Sequence, residues 1–161
     1  MIKRALMALL LVALLVAFDQ WSKYLVETML DYRVAVEIVP FLAFFRTYND
    51  GVAFSMLSGY GVSGLIAMGL VVLGVVLWLW LKVERGRWLT NLGFALIAGG
   101  AIGNLVDRSM LGYVIDFIQF HTANWSFAIF NVADAYISVG VGAIILDEIL
   151  AWIASRKHQS E

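Results

Sequence analysis

Two aspartates, Asp116 and Asp134, each close a short polar motif: GYVIDF at 112–117 and FNVAD at 130–134. The rest of the chain is largely apolar, and a carboxylate near hydrocarbon is expensive, so it needs a partner or a task. Two carboxylates brought close share one proton, because ionising both at short range is costly. Such a pair hydrolyses a peptide bond without serine, cysteine or metal: the ionised member takes a proton from water, and the protonated member donates to the carbonyl oxygen. A coupled pair titrates as a unit, so the sequence assigns neither role to a particular residue. The chain has no cysteine, which excludes a thiol nucleophile, disulfides and N-terminal lipidation of the chain itself. Its two histidines, His121 and His158, are too few and too scattered for the common zinc sites, so no metal or other cofactor is expected.

Other polar residues fall in clusters. Asp19 and Lys23 stand four apart on one helix face, acid first, the better order for an ion pair. The pair either neutralises itself within the first helix or also ties that helix to the site. Asn49 heads the turn Asn49-Asp50-Gly51. In GGAIGNLVDR at 99–108, Gly99, Gly100 and Gly103 offer small residues for close helix contact. Asn104 and Arg108 follow on one helix face. Arg108 either pairs with Asp107 or a lipid phosphate, or orients substrate and holds the site together. Asn49, Asn104 and Asn131 are three amides expected at one depth, where stray polar groups would each cost free energy. One polar pocket accounts for all three. Phe117 and Phe130, beside the aspartates, suit pocket walls.

These residues must be positioned by membrane-spanning helices. The chain has 161 residues, is 62% hydrophobic and 14% charged, and carries a single proline, well outside soluble composition. Its mean hydropathy is +0.87. A helix needs about 20 largely apolar residues to span a bilayer, which predicts four: about 5–26, 62–81, 88–106 and 132–153. Seven of the eleven Lys/Arg residues lie before helix one, between helices two and three, or after helix four: Lys3, Arg4, Lys82, Arg85, Arg87, Arg156 and Lys157. Both termini are therefore expected in the cytoplasm. The first segment reads as a retained anchor, since Asp19-Gln20-Trp21 follows it where a cleavage site would need small residues.

The outer segments, 27–61 and 107–131, then face the other side. Val34, Val36 and Ile38 alternate with Arg33, Ala35 and Glu37 as in a strand, and Pro40 ends the run. Ile118–Phe120 and Trp125–Phe130 flank His121–Asn124 like a hairpin, with Trp125, Phe127 and Ile129 on one face. The expected architecture is an all-α membrane protein of one domain, 1–161, with a small β-containing amphipathic cap resting on the outer leaflet. Glu27, Asp31 and Glu37 read as solvated cap residues. Asp147 and Glu148, about 20 Å along helix four from Asp134, read as structural partners of Arg156 or the Lys82–Arg87 turn. A net charge of −1 gives no case for nucleic-acid binding.

Five motifs in order, DQxxK, NxGxAF, GGAxGNxxDR, GxVxDF and FNxAD, resemble those of the bacterial lipoprotein signal peptidases (signal peptidase II), across nearly the whole chain. The resemblance implies an aspartyl dyad, Asp116 and Asp134, at the outer face of the inner membrane. It also implies Asn49, Asn104, Arg108 and Asn131 around the site, with Asp19 and Lys23 nearby. The substrates it implies are diacylglyceryl-modified prolipoproteins, cleaved on the N-terminal side of the modified cysteine. A globomycin-type cyclic peptide is the inhibitor associated with the family.

Two rival functions are weaker. Gly61-Val62-Ser63-Gly64 reads GxSG as in rhomboid serine proteases, but neither histidine lies on a later helix to activate Ser63. A small transporter or assembly protein would distribute polar residues through the depth of the bundle. Here they gather at one end.

Overall fold

The computed structural model describes residues 2–51, 61–84 and 86–159. Four helices form where the apolar runs predict them: α1 (Ile2–Met29), α2 (Gly61–Trp80), α3 (Trp88–Met110) and α4 (Val132–Gln159). All four are long and apolar enough to cross a membrane. Helix α3 is the hub, packed against the other three. Half of its apolar stretch is buried inside the protein, against 6% for each of the others. That difference follows from where the glycines pack: Gly99 and Gly103 of α3 face α1, and Gly93 and Gly100 face α4, each small enough for close helix approach. A Cβ on Gly99 would lie 2.9 Å from Leu15 of α1, and one on Gly93 would lie 2.6 Å from the Gly140 carbonyl of α4.

Helix α3 runs a turn further than the apolar run suggests, so Asp107 and Arg108 are helical rather than part of an outer segment. Their polarity does not end the helix, because both find partners within the protein. Gly112 ends it. Its φ of 87° lies in the left-handed region that favours glycine, and its N–H donates to the Arg108 carbonyl at 3.2 Å.

Four strands make one antiparallel sheet in the order β1 (Ala35–Val39), β2 (Leu42–Asn49), β3 (Val114–Thr122) and β4 (Trp125–Ser126). Pro40 and Phe41 make the turn between β1 and β2. The expected strand at 34–38 is thus one half of a hairpin whose other half, β2, has no clean alternation. The expected hairpin around His121–Asn124 forms, but Asp116 already lies on its first strand. Its second strand is only Trp125–Ser126, so Trp125, Phe127 and Ile129 do not line up along one strand.

The register sets Thr47 opposite Asp116 and Asn49 opposite Val114. Ile115 and Phe117 turn to one face of β3 and form a small core with Val26 of α1. Strand alternation sends the intervening Asp116 to the other face. Phe117, expected as a pocket wall, is therefore a core residue.

Candidate active site

The structure brings Asp116 and Asp134 into one cluster through three amides. Asn131 is the N-cap of α4: its Oδ1 accepts the Asp134 backbone N–H at 3.0 Å, and Asp134 Oδ2 accepts the Asn131 backbone N–H at 3.2 Å. This reciprocal pair is a capping box written with Asn and Asp, and it is why FNxAD must open a helix. Because Oδ1 of Asn131 is occupied by a backbone donor, its Nδ2 is turned outward, donating to Asp116 Oδ1 at 2.7 Å and to Asn104 Oδ1 at 3.2 Å. Asn49 follows the same rule. Its Oδ1 accepts the Gly51 N–H at 3.0 Å, which leaves Nδ2 to donate to Asp116 Oδ2 at 2.9 Å. Asn104 Nδ2 donates to Asp134 Oδ1 at 2.8 Å. Each of the four carboxylate oxygens thus accepts one hydrogen bond from an amide N–H.

Asp116 is buried, and that burial pushes its carboxyl from the ordinary 3.8 up to about 7; the nearby Asp134 charge adds to the rise, and the Asn49 and Asn131 amides oppose it. A carboxyl poised near neutrality can hold or release a proton under working conditions.

Arg108 lies beside the pair. Its Nη2 donates to the Gly51 carbonyl at 2.7 Å and its Nη1 to the Asn104 carbonyl at 3.4 Å. It therefore fastens the turn that follows Asn49 to α3. The alternative pairing of Arg108 with Asp107 does not form, because neighbours on a helix point about 100° apart. Asp107 turns inward instead, to Lys23 Nζ at 2.8 Å.

Behind the amides lies a buried charge cluster. Lys23 and Asp19 pair at 2.8 Å, both almost fully buried, as their spacing of four requires. The pair also ties α1 to the site: Asp19 Oδ1 accepts the Ala133 N–H at 2.9 Å, and Lys23 Nζ donates to Asn104 Oδ1 at 3.1 Å. Gly103 is what admits Asp19, whose carboxylate lies 2.5 Å from where a Cβ on that glycine would stand.

Two members of this cluster, Asp107 and Gln20, were not placed at the site from sequence, where Asp107 stood only as a possible partner of Arg108. Asp107 accepts from Gln20 Nε2 at 2.7 Å and from the Ile115 N–H at 3.3 Å. Both stand inside the recognised motifs, DQxxK and GGAxGNxxDR, and that was the only signal for them.

Other expectations resolve differently. Glu27 is half-buried rather than solvated, and accepts from the Tyr48 hydroxyl at 3.1 Å. Glu37 is exposed as expected, yet its carboxylate meets the His121 ring at 3.2 Å. Ser63 is exposed on the first turn of α2; α4 runs further than expected and takes in His158, but at its C-terminal end, 24 residues beyond Asp134. Val52–Phe54 of the NxGxAF motif, and Arg85, lie outside the described residues. Asp147 and Glu148 do pair with the α2–α3 turn, through Arg87, at 2.7 and 3.0 Å.

The fold and site together define a multi-pass membrane protein with an amide-held carboxylate pair, Asp116 buried and Asp134 half-buried, at one end of its bundle. Comparisons with known proteins sharpen this. The family described as Signal peptidase (SPase) II matches residues 11–150. The lipoprotein signal peptidase of Sinorhizobium fredii is 57% identical over 143 residues, covering 89% of this chain and 86% of that protein. That of Brucella ovis is 51% identical over 149 residues, covering 92% and 93%. A solved structure described as a bacterial membrane enzyme at 2.3 Å superposes with a TM-score of 0.80 at 29% identity, covering 89% of this chain and 87% of the other. A second, at 1.9 Å, gives 0.77 at 30% identity, covering 87% and 90%. The chain belongs to the signal peptidase II family. It is a membrane protease of that family.

Proposed function

We propose that the chain is an aspartic endopeptidase that removes the signal peptide from diacylglyceryl-modified prolipoproteins, cleaving N-terminal to the modified cysteine. The observation that carries this reading is the joint hold of Asn131 on both carboxylates, Asp116 by its side chain and Asp134 by its backbone N–H and side-chain oxygen.

In this mechanism one carboxyl of the pair is protonated and the other ionised. The ionised one accepts a proton from water as the water oxygen attacks the scissile carbonyl carbon, and the protonated one donates to the carbonyl oxygen. Collapse of the tetrahedral intermediate breaks the C–N bond; the proton taken from water passes to the leaving amine, and the hydroxyl proton returns to the carboxylate that donated it as C=O re-forms. Burial raises the Asp116 carboxyl to about 7, so the pair, titrating as a unit, holds a proton near neutrality. Arg108 and Asn49 shape the loop wall along which the peptide lies.

The reading extends to the whole chain, residues 1–161, as one peptidase domain in the bacterial inner membrane. Both termini are cytoplasmic and the pair lies at the periplasmic face, where a lipid-anchored peptide presents its cleavage site. The basic residues flanking the helix ends support this orientation. A globomycin-type cyclic peptide binds at the same pair.

Asp116→Asn and Asp134→Asn test the mechanism. Each abolishes turnover of a lipidated precursor, by at least about a thousandfold, while thermal unfolding of the purified protein stays cooperative. Near wild-type turnover in either folded variant would sink the aspartic mechanism.

A further inference from the structure

We infer that Lys23 is a positioning residue for Asp134, acting through the side-chain amide of Asn104. The inference rests on the reading of Asp134 as a reacting group. An amide presents two donors at nitrogen and an acceptor at oxygen, so the end that faces a carboxylate decides whether it is held or repelled. At Asn49 and Asn131 the choice is local. A backbone N–H, of Gly51 and of Asp134 respectively, occupies each oxygen at 3.0 Å.

Asn104 has no such local donor. It lies within α3, where backbone N–H groups serve the helix itself. Its oxygen is taken from another helix: Lys23 Nζ of α1 donates to it at 3.1 Å. An ammonium has three donors and no acceptor, so the atom of Asn104 that faces it is the oxygen. The nitrogen is thereby sent to Asp134 Oδ1 at 2.8 Å. The Asn131 amide supports the same orientation at 3.2 Å, but it shares that nitrogen with Asp116 at 2.7 Å.

Lys23 is itself placed with no freedom to spare. Its ammonium has three close partners: it donates to Asp19 Oδ2 at 2.8 Å, forms an ion pair with Asp107 Oδ2 at 2.8 Å, and donates to Asn104 Oδ1. Neutralising two carboxylates explains the first two contacts. The third does something different, since it fixes which end of an amide meets the reacting pair. Gly103 makes the arrangement possible by leaving room for the Asp19 carboxylate. The charged groups around this point are Asp19 on α1, Asp107 and Arg108 on α3, Asp116 on β3 and Asp134 on α4.

The test uses full-length protein in detergent or nanodiscs, with thermal unfolding to establish folding. Lys23→Gln is the simple variant. Lys23→Met combined with Asp19→Asn removes one cation and one anion together, so the local net charge is unchanged and folding is better protected. In either, kcat for a lipidated precursor falls by about tenfold or more with KM little altered, as for loss of a contact that matters in the transition state. In an Asn104→Ala background the same Lys23 substitution costs little more, because the two act in series. The side-chain ¹⁵N–¹H₂ signal of Asn104, assigned by its loss in Asn104→Ala, shifts strongly when Lys23 is replaced.

A merely structural lysine would give the full additional loss in the Asn104→Ala background and an unmoved Asn104 signal, and either result overturns the inference. Should Asp116→Asn or Asp134→Asn retain turnover, the functional reading fails instead. The NMR signal still reports on the Lys23–Asn104 lock.

Discussion

Helix α4 carries acids in its first turn and just past its midpoint, and the two places treat them in opposite ways. Asp134, in the first turn, is held by neutral donors: the Asn104 amide and the Asn131 backbone N–H. Asp147 and Glu148, further along the same helix, are held by the Arg87 guanidinium, and Asp147 also by the Thr90 hydroxyl. A guanidinium cancels the charge it holds and leaves a fixed structural tie. The bond to Asp147 in turn raises the Arg87 guanidinium above its usual value, so the tie stays charged on both sides. Amides orient a carboxylate without cancelling its charge. The pair at the polar end therefore still feels one another, and Asp116 rises to about 7 through burial and the Asp134 charge. Two short stretches of one helix thus show how to make an acid inert and how to keep it responsive.

The contrast is most sharply broken at Asn131. Asn131→Ala removes a donor from Asp116, the oxygen that caps the Asp134 N–H, and the orientation shared with Asn104. Turnover falls by about a hundredfold, the scale of two lost charge-assisted bonds. Loss of the N-cap also lowers stability by about 1–2 kcal/mol. Kinetics and thermal unfolding of the same preparation measure both, and a variant that lost stability alone would reduce Asn131 to a cap.

A second effect is pH-dependent. The folded state raises the Asp116 carboxyl from 3.8 to about 7, so the folded protein binds a proton more tightly than the unfolded chain over that window. Its contribution to stability is present at low pH and is lost as pH rises from about 4 through about 7, a change of a few kcal/mol at about 1.4 per pKa unit. Unfolding of wild type and Asp116→Asn across pH 4–8 checks this. The variant loses that slope, and parallel curves would contradict the assignment.

The smallest effect belongs at the mid-helix acids. Asp147→Asn with Glu148→Gln leaves turnover within about twofold and lowers the unfolding temperature only slightly, as expected for partly exposed ion pairs. A large loss of turnover there would break the division between the two stretches.

Much of this was legible in the residues. Apolar runs marked the four helices because a bilayer demands about 20 such residues. Spacing of four predicted the Asp19–Lys23 pair, because helix geometry alone brings those side chains together. FNxAD contains its own cap chemistry, so the start of α4 and the placement of Asp134 are local facts. Strand β2 was less legible, since its residues are half-buried on both faces and show no alternation. Asp107 was misleading: as a neighbour of Arg108 it suggested a pair, whereas its real partners, Lys23 and Gln20, lie on α1.

By itself, the sequence determined which side chains would be costly in a membrane, where the helices run, and how Asn49 and Asn131 would present their amides. Those outcomes depend on contacts within a few residues. Only the tertiary structure decided that Asp116 faces away from the small core that its neighbours Ile115 and Phe117 build with Val26. It alone set Asp19 in the space left by Gly103, and turned the Asn104 amide by a lysine from another helix. The physical reason is that a buried polar group is satisfied by whichever partner packing brings within about 3 Å, and packing joins segments that sequence keeps far apart.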